Sequence, residues 1–96
     1  MLWVISNISK PKVGGEAIRP EVRRAHQDYL KRKRDIVLFA GPLQSDDGTE
    51  KIGSLWIIDV NSRAEAKAFS DGEAYTQAGL FSSVTITRVR KANWLG

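Results

Sequence analysis

The chain of 96 residues contains no cysteine and a single histidine. The first absence excludes disulfide frameworks, thiolate metal centres and thiol nucleophiles, and the second removes histidine-rich metal sites, so no metal is expected. Long apolar runs are missing too. The longest, Ile36 to Ala40, has the length of a strand and falls far short of the eighteen or more residues a membrane-spanning helix needs. Met1 leads straight into Leu-Trp-Val-Ile without a basic leader or a small-residue cleavage site, so a cytoplasmic setting is expected. Zinc spacings, phosphate-cradling glycine loops, dinucleotide fingerprints and nucleophilic triads are all absent.

What is present fits one compact unit over residues 1–96. Hydrophobic residues make up 42% and charged residues 27%, close to the averages of soluble domains, and a chain this short supports a single core. Charge is unevenly spread. Residues 19 to 34 hold seven basic side chains (Arg19, Arg23, Arg24, Lys31, Arg32, Lys33, Arg34) against Glu21 and Asp28, and the rest of the chain is close to neutral. Such a stripe can bind nucleic acid or an anionic metabolite. No aromatic residue alternates with the basic ones to stack on bases, which favours a solvated helix face over nucleic acid.

The apolar pattern predicts the elements in turn. Leu2 to Asn7 reads as a strand, followed by a loop ending near Gly15, whose Gly14-Gly15 pair could offer anion-binding amides but more often marks a turn. Ile18, Val22, Ala25, Tyr29 and Leu30 recur at helical spacing, and Pro20 is tolerated only in a first turn, so the helix starts close to it. Ile36 to Ala40 reads as a buried strand ended by Gly41-Pro42. Lys51 to Val60 is a further strand, with Ile52, Trp56, Ile58 and Val60 on one face and Leu55 and Ile57 on the other. Ser62-Arg63-Ala64-Glu65 has the capping-box form, placing a second helix to about Phe69. Asp71 and Gly72 interrupt it, a short turn from Glu73 to Ala78 ends at Gly79, and Leu80 to Lys91 forms a last strand.

The order strand, helix, strand, strand, helix, strand is that of an α+β ferredoxin-like βαββαβ sandwich: a four-stranded antiparallel sheet with two helices on one face. Its strands carry large apolar residues on both faces, Trp3 and Ile5 against Leu2 and Val4, and Leu55 and Ile57 against Trp56 and Ile58. A monomer would leave one set in water, which predicts a homodimer joined through the sheet face.

His26 lies within the apolar arc of the first helix, between Val22 and Leu30, whereas Arg24, Gln27, Lys31 and Arg34 point away. It suits either a core histidine or a general base, and a base needs a carboxylate to orient it. Asp71 and Glu73, in the break before the last strand, are candidates for that carboxylate or for helix capping. Arg23 could hold an anionic substrate or be one more surface charge. Tyr75 could donate a hydrogen bond into the same cleft or simply pack.

Four blocks, in order and across nearly the whole chain, carry a resemblance: Arg23-x-x-His26-x-x-Tyr29-Leu30, Ala40-Gly41-Pro42, Gly53-Ser54-Leu55, and Glu73-Ala74-Tyr75-x-x-Ala78-Gly79-Leu80-Phe81. Together they resemble the YciI-like (YCII-related) family. The resemblance implies a small ferredoxin-like fold pairing into a dimeric α+β barrel. It also implies a His–acid active-site pair, in which the histidine falls on His26 and the arginine on Arg23. The family's usual Asp-Pro-Tyr or Asp-Pro-Phe is here Glu73-Ala74-Tyr75, so the aligned acid is Glu73, with Asp71 as the alternative. Relatives include a dehydrochlorinase of a chlorinated hydroxyhydroquinone, and the wider superfamily contains muconolactone isomerases and haem-degrading monooxygenases. The implied function is lyase- or isomerase-type proton transfer on a small aromatic or lactone-like acid, with no cofactor. The alternative is a non-catalytic dimeric module that binds a metabolite or a protein in the same cleft.

Overall fold

The computed structural model describes residues 1–11 and 18–96, so Gly14 and Gly15 lie outside the described residues. The elements are β1 (Leu2–Ser9), α1 (Pro20–Arg32), β2 (Val37–Gln44), β3 (Lys51–Asp59), α2 (Arg63–Gly72), α3 (Ala74–Gln77) and β4 (Phe81–Val89). The strands form one antiparallel sheet in the order β2-β3-β1-β4. This is the expected α+β ferredoxin-like arrangement, with the turn before β4 wound into a third helix of four residues.

Register assigns the core. Ile5 lies opposite Trp56 on one side and Ile86 on the other, and Trp3 lies opposite Ile58, so Trp3, Ile5, Trp56 and Ile58 share one face. They are buried there with Ala66 and Phe69 of α2, and Tyr29 and Leu30 of α1 pack against the cluster. Trp56 meets Phe69 and Phe81 edge-on, with ring centroids 5.7 and 6.2 Å apart, the geometry that the ring quadrupoles favour. The other face carries Leu2, Val4, Leu55 and Ile57, each half-buried, and none of the three helices covers it.

Helix α2 begins as its sequence dictates. The Ser62 hydroxyl accepts from the Glu65 amide at 3.1 Å, while the Glu65 carboxylate accepts from the Asn61 amide at 2.7 Å. Helix α1 has Pro20 in its first turn and no side-chain cap, and none of its residues is fully buried.

The segment Ile36 to Ala40 departs from expectation. It is not a buried strand: Leu38 and Phe39 remain 57% and 50% exposed, because β2 is an edge strand. Val37 pairs with Ile58 and Phe39 with Ile57, so Leu38 is an extra residue, and this bulge turns Phe39 away from the core face. The strand also continues through Gly41-Pro42 to Gln44, since a proline at a sheet edge need forfeit no ladder hydrogen bond. At Gly53 a Cβ would sit 2.0 Å from the Asn7 carbonyl oxygen, so β3 passes β1 at a separation that only glycine permits.

Candidate active site

The break between α2 and α3 builds the first half of the site. Glu73 is extended, with φ −77° and ψ 139°, and stands as the N-cap of α3. One of its carboxylate oxygens, Oε2, accepts from the Tyr75 amide at 2.8 Å, which turns the side chain inward instead of towards solvent. Glu73 is completely buried. Its other oxygen, Oε1, is hydrogen-bonded to Nδ1 of His26 on α1. A buried carboxylate is tolerated only when its oxygens are satisfied, and here both are.

The pairing fixes the chemistry of the imidazole. An ionised carboxylate only accepts, so against one Nδ1 is the donor, and in a neutral ring of that tautomer Nε2 holds the lone pair. The ring lies flat against that of Tyr75, with centroids 3.8 Å apart and planes 3° from parallel. His26 is thus held at one edge by the carboxylate and across one face by the phenol, and its side chain stays 16% exposed. Burial pushes the Tyr75 hydroxyl up from its ordinary value; the Arg23 guanidinium, which hydrogen-bonds it, pulls the other way, and the Glu73 charge adds to the rise.

Tyr29, one turn beyond His26, ties the two halves together. Its hydroxyl donates to the Phe69 carbonyl at 2.8 Å, and its ring tilts against Phe69 with centroids 5.4 Å apart. A Cβ on Gly72 would lie 2.9 Å from the Tyr29 oxygen, so a larger residue there would push the phenol from its place. Burial and then the Glu73 charge raise the Tyr29 hydroxyl above its ordinary value, with Arg32 opposing them.

His26, Arg23 and Tyr75 line a cavity of about 310 Å³ between α1 and the sheet. Leu30, Trp56, Phe81, Pro42 and Ser54 also line it. A space of this size fits a molecule of one ring. Four of the five residues singled out from the sequence therefore meet: Arg23, His26, Glu73 and Tyr75. Asp71 does not join them. It lies in the last turn of α2, exposed, with its carboxylate 2.7 Å from the Lys67 ammonium. Residues 71 and 73 straddle the helix break, which turns one carboxylate out and the other in. Among the described residues no group of three histidine, aspartate or glutamate side chains is placed to hold a metal ion. Sequence reasoning passed over Lys51, which reads as the polar start of a strand but lines the cavity. It also passed over the tether of Tyr29, whose partner lies forty residues away.

The chain belongs to the YCII-related domain family, whose model matches residues 1–90. Comparison with functionally curated proteins finds no match. Among solved structures, the chain is similar to 5-chloro-2-hydroxyhydroquinone dehydrochlorinase from Burkholderia phenoliruptrix, in complex with 2,5-dihydroxybenzoquinone. The TM-score is 0.83 at 24% sequence identity, and the match covers 98% of each chain. At that identity the likeness establishes the shared fold.

Proposed function

We propose that the protein is a small-molecule enzyme of lyase or isomerase type that moves a proton on a small aromatic or lactone-like acid. The observation that carries this reading is the buried Glu73 carboxylate on His26 Nδ1, which leaves Nε2 as the basic atom of a residue lining a one-ring cavity. In the lyase case, Nε2 takes a proton from a C–H or O–H group of the substrate. The freed electron pair forms a new double bond, and the leaving group, such as chloride, departs with its own pair. In the isomerase case the proton returns to a different carbon. The imidazolium formed in between is paired with the Glu73 anion, so charge develops where a counter-charge already stands. Arg23 holds the acidic group of the substrate, and Tyr75 braces the imidazole and supplies a hydroxyl to the cavity. That a protein of this fold acts on a chlorinated hydroxyhydroquinone supports testing halogenated ring acids first.

The working unit we propose is a homodimer joined through the uncovered sheet face, because Leu2, Val4, Leu55 and Ile57 form an apolar surface there. A monomer in sedimentation equilibrium would overturn that part. The chemistry is tested by incubating the protein with halogenated hydroxyhydroquinones and lactone acids in D₂O, following chloride release and deuterium incorporation. His26→Ala is expected to lower kcat/KM by about a hundred- to ten-thousand-fold with the fold intact. Glu73→Gln should lower kcat and also release the Nδ1–H tautomer seen in long-range ¹H–¹⁵N spectra of the one imidazole. Turnover retained in His26→Ala sinks the assignment, and ligand-induced stabilisation without any turnover would instead support the binding-module alternative.

A further inference from the structure

Among the described residues, two cations line the cavity, and they stand on different elements. Arg23 comes from α1, and Lys51 comes from the first position of β3, yet both line the same space of about 310 Å³. Among the described residues no aspartate or glutamate shares that lining. Glu73 lies beneath it, fully buried and engaged with His26 and the Tyr75 amide. Among the described residues Lys51 has no ion-pair or hydrogen-bond partner for its ammonium. The same lining holds three aromatic rings, with Phe81 edge-on to both Trp56 and Tyr75. A cavity with apolar walls and charge of one sign concentrates ligands of the opposite sign.

We infer that Lys51 is a specificity-determining residue of this site and that the preferred ligand is a planar single-ring acid with two anionic groups, one held by Arg23 and the other by Lys51. The inference rests on the proposed reading of the cavity as a substrate site and narrows its substrate class. Arg23 suits a carboxylate or phenolate held in a fixed geometry, because guanidinium donors are planar and paired. Lys51 offers a compact charge on a flexible stem, which accommodates a second anionic group at more than one ring position. A ligand with one anionic group leaves one cation unmatched and gains from only one of them.

The test titrates wild type, Lys51→Met and Arg23→Met with benzoate and with phthalate, isophthalate and terephthalate. It follows the ring protons of His26, whose signals need no assignment because the chain has one histidine. At least one dicarboxylate is expected to bind about tenfold or more tightly than benzoate. Lys51→Met should remove most of that advantage and weaken benzoate much less than the favoured dicarboxylate, while Arg23→Met weakens all four acids. Equal binding of benzoate and every dicarboxylate in wild type would overturn the inference and leave the enzyme reading standing, as would a preference that survives Lys51→Met. Silence of the His26 signals with all four acids overturns both.

Discussion

Helix α1 and the α2–α3 limb contribute one partner each to the His26–Glu73 contact, but they are held in opposite ways. The limb is anchored by burial: Ala66, Phe69, Ser70, Glu73 and Tyr75 are all enclosed. Helix α1 encloses none of its residues, and its specific ties to the limb are polar or aromatic: Tyr29 on the Phe69 carbonyl, His26 on Glu73 and Arg23 on the Tyr75 hydroxyl. The carboxylate of the contact is therefore set by core packing, and the imidazole by a few directed contacts. The lesson is that the fold can be stable while the site is not yet aligned.

The contrast is broken most severely from the packed side. Phe69→Ala removes the ring on which Trp56 and Tyr29 both rest, and should cost about 3–5 kcal/mol of stability in denaturant unfolding. A loss below about 1 kcal/mol would show that the limb is not the anchor. A smaller and more selective effect is expected from the α1 side. Tyr29→Phe deletes one hydrogen bond and should cost about 1 kcal/mol, while shifting the His26 ring signals and lowering turnover more than stability alone explains. Unchanged His26 signals would remove Tyr29 as a positioning residue. Tyr29 also bears on alkaline stability. Its hydroxyl is raised in the fold, so the neutral form is favoured there; the contribution is complete below the ordinary tyrosine value near 10 and is lost as pH climbs through the raised one. Tyr29→Phe should therefore flatten the fall in Tm between the ordinary value near 10 and the raised one.

The smallest effect lies remote from both regions and serves as a control. In the β2–β3 turn, Asp47 accepts from the Thr49 amide and from the Ser45 and Thr49 hydroxyls, which lower its carboxyl to about 2. The depressed value means that its contribution is present above the ordinary 3.8 and disappears as pH falls towards about 2. The Tm of Asp47→Asn should lie slightly below that of wild type at neutral pH and meet it in acid, with the His26 signals unmoved throughout.

Much of this architecture was legible in the sequence, and the parts that were not share a cause. Local signals survived intact: Ser62 and Glu65 cap α2 as their spacing dictates, and Pro20 opens α1. The unbroken apolar run Ile36 to Ala40 misled, because hydrophobic content does not distinguish a central strand from an edge strand with a bulge at Leu38. Asp71 and Glu73 were indistinguishable by composition. Only the backbone break, which makes Glu73 a cap and leaves Asp71 on the surface beside Lys67, separates them. Tyr29 counted in the sequence as one more apolar position, since the carbonyl its hydroxyl seeks is forty residues distant. Lys51 shows its bearing on the cavity only when β3 is laid beside α1.

The lack of enclosed side chains on α1 also bears on how the protein can change. Surface and half-exposed positions accept substitution at little cost, whereas Trp56, Phe69 and Gly53 do not. One wall of the cavity is thus open to experiment by mutation and the opposite wall is closed to it. New ligand preferences should accumulate along α1, at exposed cavity positions such as Gln27, under directed evolution, while the sheet and the α2–α3 limb conserve the scaffold that lets those trials fold.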